Sequence, residues 1–193
     1  MAEDAHESVG VGAGAVELPP GSHMCCMYRG AEERDDLLRP FLSAGLNAGQ
    51  TCFAAVNDPD PTRLRGYDDE AVRGKLILRT SDEPIFDSDS FDVEEIVAFW
   101  EETVTDELAE DGVDFVRLSA EATWWLTQVP AIDDLMRYEG RLKDFASRHP
   151  QSILCLYDID ALGAGVVFSA MKLHPRIWLS GLVLDNPFYE LTP

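Results

Sequence analysis

Residues 24–56 read MCCMYRGAEERDDLLRPFLSAGLNAGQTCFAAV, and this stretch decides the fold class. It opens on a short apolar run, Met24–Tyr28, passes through a longer segment, Glu32–Ala48, and closes on a second apolar run, Thr51–Val56. In the middle segment Leu37, Leu38, Phe41 and Leu42 recur at the spacing that lines one face of a helix, and Gly49 supplies a stop. The flanking runs are too short for helices and read as strands.

The same alternation continues outward. Further strands are expected at Leu76–Thr80, Phe115–Ser119, Ile153–Tyr157 and Ile177–Leu184. Helices are expected at Pro61–Arg73, Asp92–Glu110, Ile132–Arg148 and Asp160–Leu173. The helix over 92–110 carries Val93, Ile96, Val97, Trp100, Val104 and Leu108 on one stripe, with Gly112 just beyond it. Strands separated by helices pair in parallel through right-handed crossovers, which makes a three-layer α/β domain around a mostly parallel sheet. Residues 1–20 are acidic, hold no basic side chain and end in Pro19-Pro20, so they read as a flexible tail. Residues 21–193 read as a single domain.

Composition narrows the function. The chain of 193 residues holds 36 acidic and 15 basic side chains, a formal charge of −21, and 46 % of it is apolar. That apolar share supports a folded core, and the charge argues against direct nucleic-acid binding, which needs Lys and Arg to neutralise phosphates. No apolar run approaches the roughly 18 residues of a membrane helix, and the first 22 residues lack the blocks of a signal peptide. A cytoplasmic protein is the expectation. Cys25, Cys26, Cys52 and Cys155 have neither zinc-ribbon nor thioredoxin spacing, so they read as reduced thiols.

In a parallel α/β domain ligands bind at the carboxyl ends of the strands. After the first strand runs Tyr28-Arg29-Gly30-Ala31-Glu32-Glu33-Arg34-Asp35-Asp36, with one glycine, no lysine and four carboxylates. A phosphate cradle needs the opposite composition, so nucleotide binding there is not expected. The Gly-x-Ser-x-Gly and His-Glu-x-x-His motifs are absent too.

Several short motifs occur together in order: His23-Met24-Cys25-Cys26-Met27-Tyr28, the run Phe41–Gln50, Glu121-Ala122-Thr123-Trp124, Tyr138-Glu139, Leu154-Cys155-Leu156-Tyr157-Asp158, His174-Pro175 and Asn186-Pro187-Phe188-Tyr189. This pattern, over about residues 21–189, resembles the MEDS domain (methanogen/methylotroph, DcmR sensory domain). The resemblance implies a RecA/KaiC-like topology without the phosphate-binding loop. It also implies a sensory role toward small hydrocarbon derivatives, coupled to an output module. No such module is legible here, so signalling through a regulatory partner protein is expected.

The matched residues single out His23, Cys25, Tyr28, Glu121, Trp124, Tyr157 and Asp158 as candidate ligand-binding residues around one crevice. In a strand, His23, Cys25 and Met27 share one face while Cys26 and Tyr28 take the other. His plus thiolate is a soft ligand pair, but a closed zinc site needs third and fourth ligands, so no metal and no cofactor are expected. Plainer roles stand beside these. His23 can bond to backbone next to an inert thiol, Trp124-Trp125 can be core, and Asp158 can cap the helix over 160–173. His174-Pro175 can simply close that helix, and 186–189 can be a turn.

The reading is therefore a non-catalytic ligand-sensing module for a small apolar or hydrocarbon-derived molecule. An interaction module using the acidic face over residues 82–111, which hold no Lys or Arg, is the alternative. An enzyme using Cys25 as nucleophile and His23 as base comes third, because residues two apart on a strand rarely reach that geometry.

Overall fold

The strand–helix–strand unit forms as its periodicity dictates: β1 (Ser22–Tyr28), α1 (Gly30–Asn47) and β2 (Thr51–Val56). The computed structural model describes residues 18–65, 75–80, 92–122, 132–179 and 182–190. Its further elements are α2 (Pro61–Arg65), β3 (Lys75–Thr80), α3 (Val93–Ala109), β4 (Val116–Glu121), α4 (Ile132–Ala146), β5 (Gln151–Asp158), α5 (Ala164–Leu173), β6 (Arg176–Leu179) and β7 (Leu182–Asp185). The seven strands form one sheet in the order β3-β2-β4-β5-β1-β6-β7. All neighbours are parallel except β6 and β7.

Alternation along each strand divides the core into two layers. Cys25, Phe53, Leu118, Ile153, Cys155 and Tyr157 face α3, α4 and α5, where Ile96, Trp100, Leu135, Tyr138, Leu142 and Phe145 pack. Met24, Cys26, Tyr28, Cys52, Ala54, Leu154 and Leu156 face α1 and α2, meeting Leu38, Phe41, Leu42, Leu46 and Leu64. A parallel strand covered on both faces must be apolar on both, which is why the strands read as runs rather than alternations. Trp178 of β6 donates its indole N–H to the Leu37 carbonyl at 2.7 Å, tying the sheet edge to α1. At Gly45 of α1 an added Cβ would lie 2.6 Å from both the Arg117 side chain and the Cys52 sulfur, so only glycine lets this helix approach the sheet.

The structure departs from the sequence expectations in three places. The expected strand Ile177–Leu184 is two antiparallel strands, with Leu179 opposite Leu182. The helix expected from Asp160 starts at Ala164, with Gly163 at its N-cap. Leu18, assigned to the tail, is buried in the layer under α1. The expected helix Pro61–Arg73 is helical over Pro61–Arg65, and its remainder lies outside the described residues, as do residues 1–17.

Candidate functional site

Two buried polar clusters flank the sheet. The first sits at the carboxyl ends of β1, β2 and β4 on the α1 side. Glu121, the last residue of β4, is 3 % exposed, and its carboxylate accepts from three directions. The Tyr28 hydroxyl donates to Oε1, while the Asn57 backbone N–H (2.5 Å) and Arg34 Nη1 (3.3 Å) donate to Oε2. Arg34 also holds the Asp35 carboxylate at 2.8 Å and donates to the Asn57 carbonyl. Both acids and the guanidinium are buried, so the desolvation cost of each charge is met by a partner. The β1–α1 turn is thus lined by a carboxylate, and Glu32 and Glu33 fill the first turn of α1. The two cations here are already paired, Arg34 with Asp35 and Glu121 and Arg29 with Asp160 at 3.7 Å, so an incoming phosphate would meet an excess of acids.

The second cluster lies on the other face, under α4 and α5. His23 comes from β1, Cys155 and Tyr157 from β5, Glu139 from α4, and His174 from the C-cap of α5; all five are buried. Glu139 is the hub. Its Oε1 accepts from the Tyr157 hydroxyl, and its Oε2 lies 3.3 Å from His23 Nε2 and 3.2 Å from His174 Nε2. The Cys155 sulfur is 3.4 Å from His23 Nε2 and 3.8 Å from Glu139 Oε2. One donor atom from each of His23, Glu139, Cys155 and His174 lies within 4.8 Å of all the others. The two imidazoles pack at a centroid distance of 4.3 Å.

Electrostatics follow from burial and from these neighbours. Burial, reinforced by His174, lowers the His23 pKa to about 4, so this ring is neutral at pH 7. Burial alone would raise Glu139, but His174 and His23 outweigh it and hold the carboxyl below its ordinary range. Burial pushes the Cys155 thiol and the Tyr157 phenol up, with Glu139 adding to both. His174 Nδ1 lies 2.7 Å from the Ala170 carbonyl, which can only accept, so Nδ1 carries a proton. Its Nε2 has no hydrogen-bond partner among the described residues.

Beside this cluster is a small apolar cavity lined by Trp100, Leu118, Ala120, Tyr138, Leu142, Ile153 and Cys155, with room for about one water-sized molecule. Cys155 therefore faces both the polar cluster and the cavity.

The candidate residues do not share one crevice. His23 and Tyr157 meet in the second cluster, with Cys25 in the same core layer. Tyr28 and Glu121 meet in the first, across the sheet. Asp158 belongs to neither; instead of capping α5, its carboxylate accepts the Asp160 N–H at 2.9 Å in a local turn. Trp124 and Trp125 lie outside the described residues. Nor does His23 pair with Cys25, whose sulfur points to the Arg176 carbonyl at 3.8 Å and whose pKa burial pushes up to about 12. That thiol is a poor nucleophile. Beside His23 and Cys155, Glu139 and His174 bring two further potential donor atoms within 4.8 Å, which the sequence expectation did not include. Both stood in the quoted motifs, but neither spacing reveals that α4 and the end of α5 converge on β1.

The family model of the MEDS domain (methanogen/methylotroph, DcmR sensory domain) matches residues 22–175. No curated protein matches the chain. Among solved structures, the crystal structure of flagellar accessory protein FlaH from Methanocaldococcus jannaschii is similar with a TM-score of 0.53 and 13 % identity. The likeness covers 86 % of this chain and 76 % of that one, and it shows a shared RecA-like fold. Among the described residues no helix is long and apolar enough to cross a membrane.

Proposed function

We propose a ligand-sensing role for this chain, which belongs to the MEDS family of sensory domains. In this reading the sensed molecule is small and apolar, such as a one- or two-carbon hydrocarbon derivative. It enters and enlarges the cavity between Trp100, Leu142 and Cys155, which at rest holds about one water-sized molecule, and the signal passes to a regulatory partner protein. The observation that carries the reading is the position of Cys155, which joins an apolar cavity to a buried polar cluster. Sites of this kind, mostly apolar with a few fixed polar groups, suit small organic ligands. A ligand shifts such a module only by binding its two states unequally. The buried reduced cysteines suit a cytoplasmic setting.

The alternative, a constitutive docking face on α3, has less support. Glu94, Glu101 and Glu107 of that helix already pair within the chain, with Arg141 (2.5 Å), Arg148 (2.7 Å) and Lys75 (2.7 Å).

Backbone amide NMR spectra, titrated with methanol, formaldehyde and dichloromethane, test the sensing reading. The expected result is saturable shifts at residues around Leu118, Leu142 and Ile153 for at least one compound, abolished by the cavity-filling change Ala120→Leu. Shifts that never saturate for any of the three, or that persist in Ala120→Leu, would overturn it.

A further inference from the structure

We propose that His23, Glu139, Cys155 and His174 form a binding site for one divalent first-row transition metal, of the zinc class. The geometry of the four donors defines this site, whichever molecule the domain senses.

The spacing is that of a coordination shell. Metal–ligand bonds of about 2.0–2.3 Å in a tetrahedron place the ligand atoms about 3.3–3.6 Å apart. Four of the six separations here are 3.2 Å and 3.3 Å between Glu139 Oε2 and the two imidazoles, 3.4 Å between His23 and Cys155, and 3.8 Å between Cys155 and Glu139, and the two from His174 to His23 and Cys155 are within 4.8 Å. The donors converge from four elements of the fold, and each is at least nine-tenths buried. Imidazole with thiolate selects zinc, cobalt or nickel over magnesium and calcium.

Outer contacts match a metal site at His174, whereas His23 Nδ1 makes no hydrogen bond among the described residues. Ligating histidines characteristically donate their other ring N–H to a carbonyl or carboxylate, and His174 does so to Ala170. That bond turns Nε2, which has no hydrogen-bond partner among the described residues, toward Glu139 Oε2 at 3.2 Å. A cation between the two atoms would take both as ligands. Tyr157 holds Oε1, which presents Oε2 alone to the site.

Charge balance agrees. Binding a divalent ion releases the Cys155 thiol proton to solvent, and the ion then faces one thiolate, one carboxylate and two neutral imidazoles. The net charge of the buried shell is zero, the arrangement least penalised by desolvation.

The full chain, stripped with chelator and titrated with cobalt(II), provides the test. One equivalent is expected to give the intense visible bands of a tetrahedral ion together with a thiolate-to-cobalt charge-transfer band. Cys155→Ser should lose the charge-transfer band, whereas Cys25→Ser and His149→Gln should keep it. Tyr157→Phe should lower zinc affinity about 10–100-fold, as loss of an outer-shell partner does. Absence of stoichiometric binding, a weak octahedral spectrum, or a charge-transfer band that survives Cys155→Ser would each overturn the site. Circular dichroism of each apo variant identifies any that fails to fold, and Cys155→Ser, nearly equal in volume, then decides the matter.

Discussion

Tyr28 on β1 donates its hydroxyl hydrogen to Glu121 on β4, reaching across the intervening strand β5. The bond is one arm of a closed set, since the other Glu121 oxygen takes the Asn57 N–H and faces Arg34. Glu121→Ala would leave the buried Arg34 guanidinium one acid short, and a loss of about 3–5 kcal/mol is expected. Tyr28→Phe removes one donor and should cost about 1–3 kcal/mol. Urea unfolding measures both; a Glu121→Ala protein as stable as the parent would contradict this account.

The same carboxylate bears on nucleotides. Glu121 lies beside the β1–α1 turn, and Glu32 and Glu33 follow it in the first turn of α1. Calorimetry with magnesium and ATP or GTP should show no binding heat. Saturable micromolar binding, lost on Gly30→Glu, would show that the turn accepts phosphate.

Acid should weaken the metal-free protein through His23. The ring faces Glu139 from α4, Cys155 from β5 and His174 beyond α5, and its pKa falls from 6.5 unfolded to about 4 folded. Between those values the unfolded chain binds the extra proton and the folded chain does not. His23 therefore contributes fully above about pH 6.5, and about 3 kcal/mol is lost by pH 4. Denaturant unfolding from pH 7.5 to 4.5 with chelator present should show the decline, and His23→Gln should flatten it. A His23→Gln protein with an unchanged slope would refute this assignment.

All four thiols are buried, and burial pushes Cys25, Cys26 and Cys52 up to about 12. A thiol reagent at pH 8 should label none of them rapidly in the native protein and all four in denaturant. Fast native labelling at any one of them would mean that its strand opens locally.

Two glycines should respond in opposite directions to alanine. Gly45→Ala drives a methyl group to 2.6 Å from Arg117 and Cys52, an overpacking expected to cost about 1–3 kcal/mol. Gly140 of α4 has no atom within 4 Å of an added Cβ, so Gly140→Ala should stabilise by up to about 1 kcal/mol. Thermal melts compare the pair, and equal shifts would remove the packing argument.

The layered fold was legible because helices and buried strands differ in period and length, as Met24–Tyr28 and Leu37–Leu42 illustrate. The end of the sheet had a signal that a single expected strand passes over: Ser180-Gly181, a dipeptide that marks turns, stands between the apolar triplets Ile177–Leu179 and Leu182–Leu184. His23 and Tyr157 could be singled out, and strand alternation placed His23 and Cys25 in one layer. Their partners could not. His174 carries an ordinary helix-closing context, and Glu139 sits mid-helix among charged residues, so only tertiary packing shows that both face Cys155. Gathering Tyr28 and Glu121 into the same crevice failed for a related reason, since the pleat sends Tyr28 to the opposite layer from His23.

That pleat has a mechanical consequence. β1 is seven residues long, with His23 near its start on one side and Tyr28 at its end on the other, held between β5 and β6. The strand works as a push-rod with an attachment on each face of a wall. Sliding it along its axis would strain the His23 contacts and the Tyr28–Glu121 bond in the same stroke, with neither helical layer needing to touch the other.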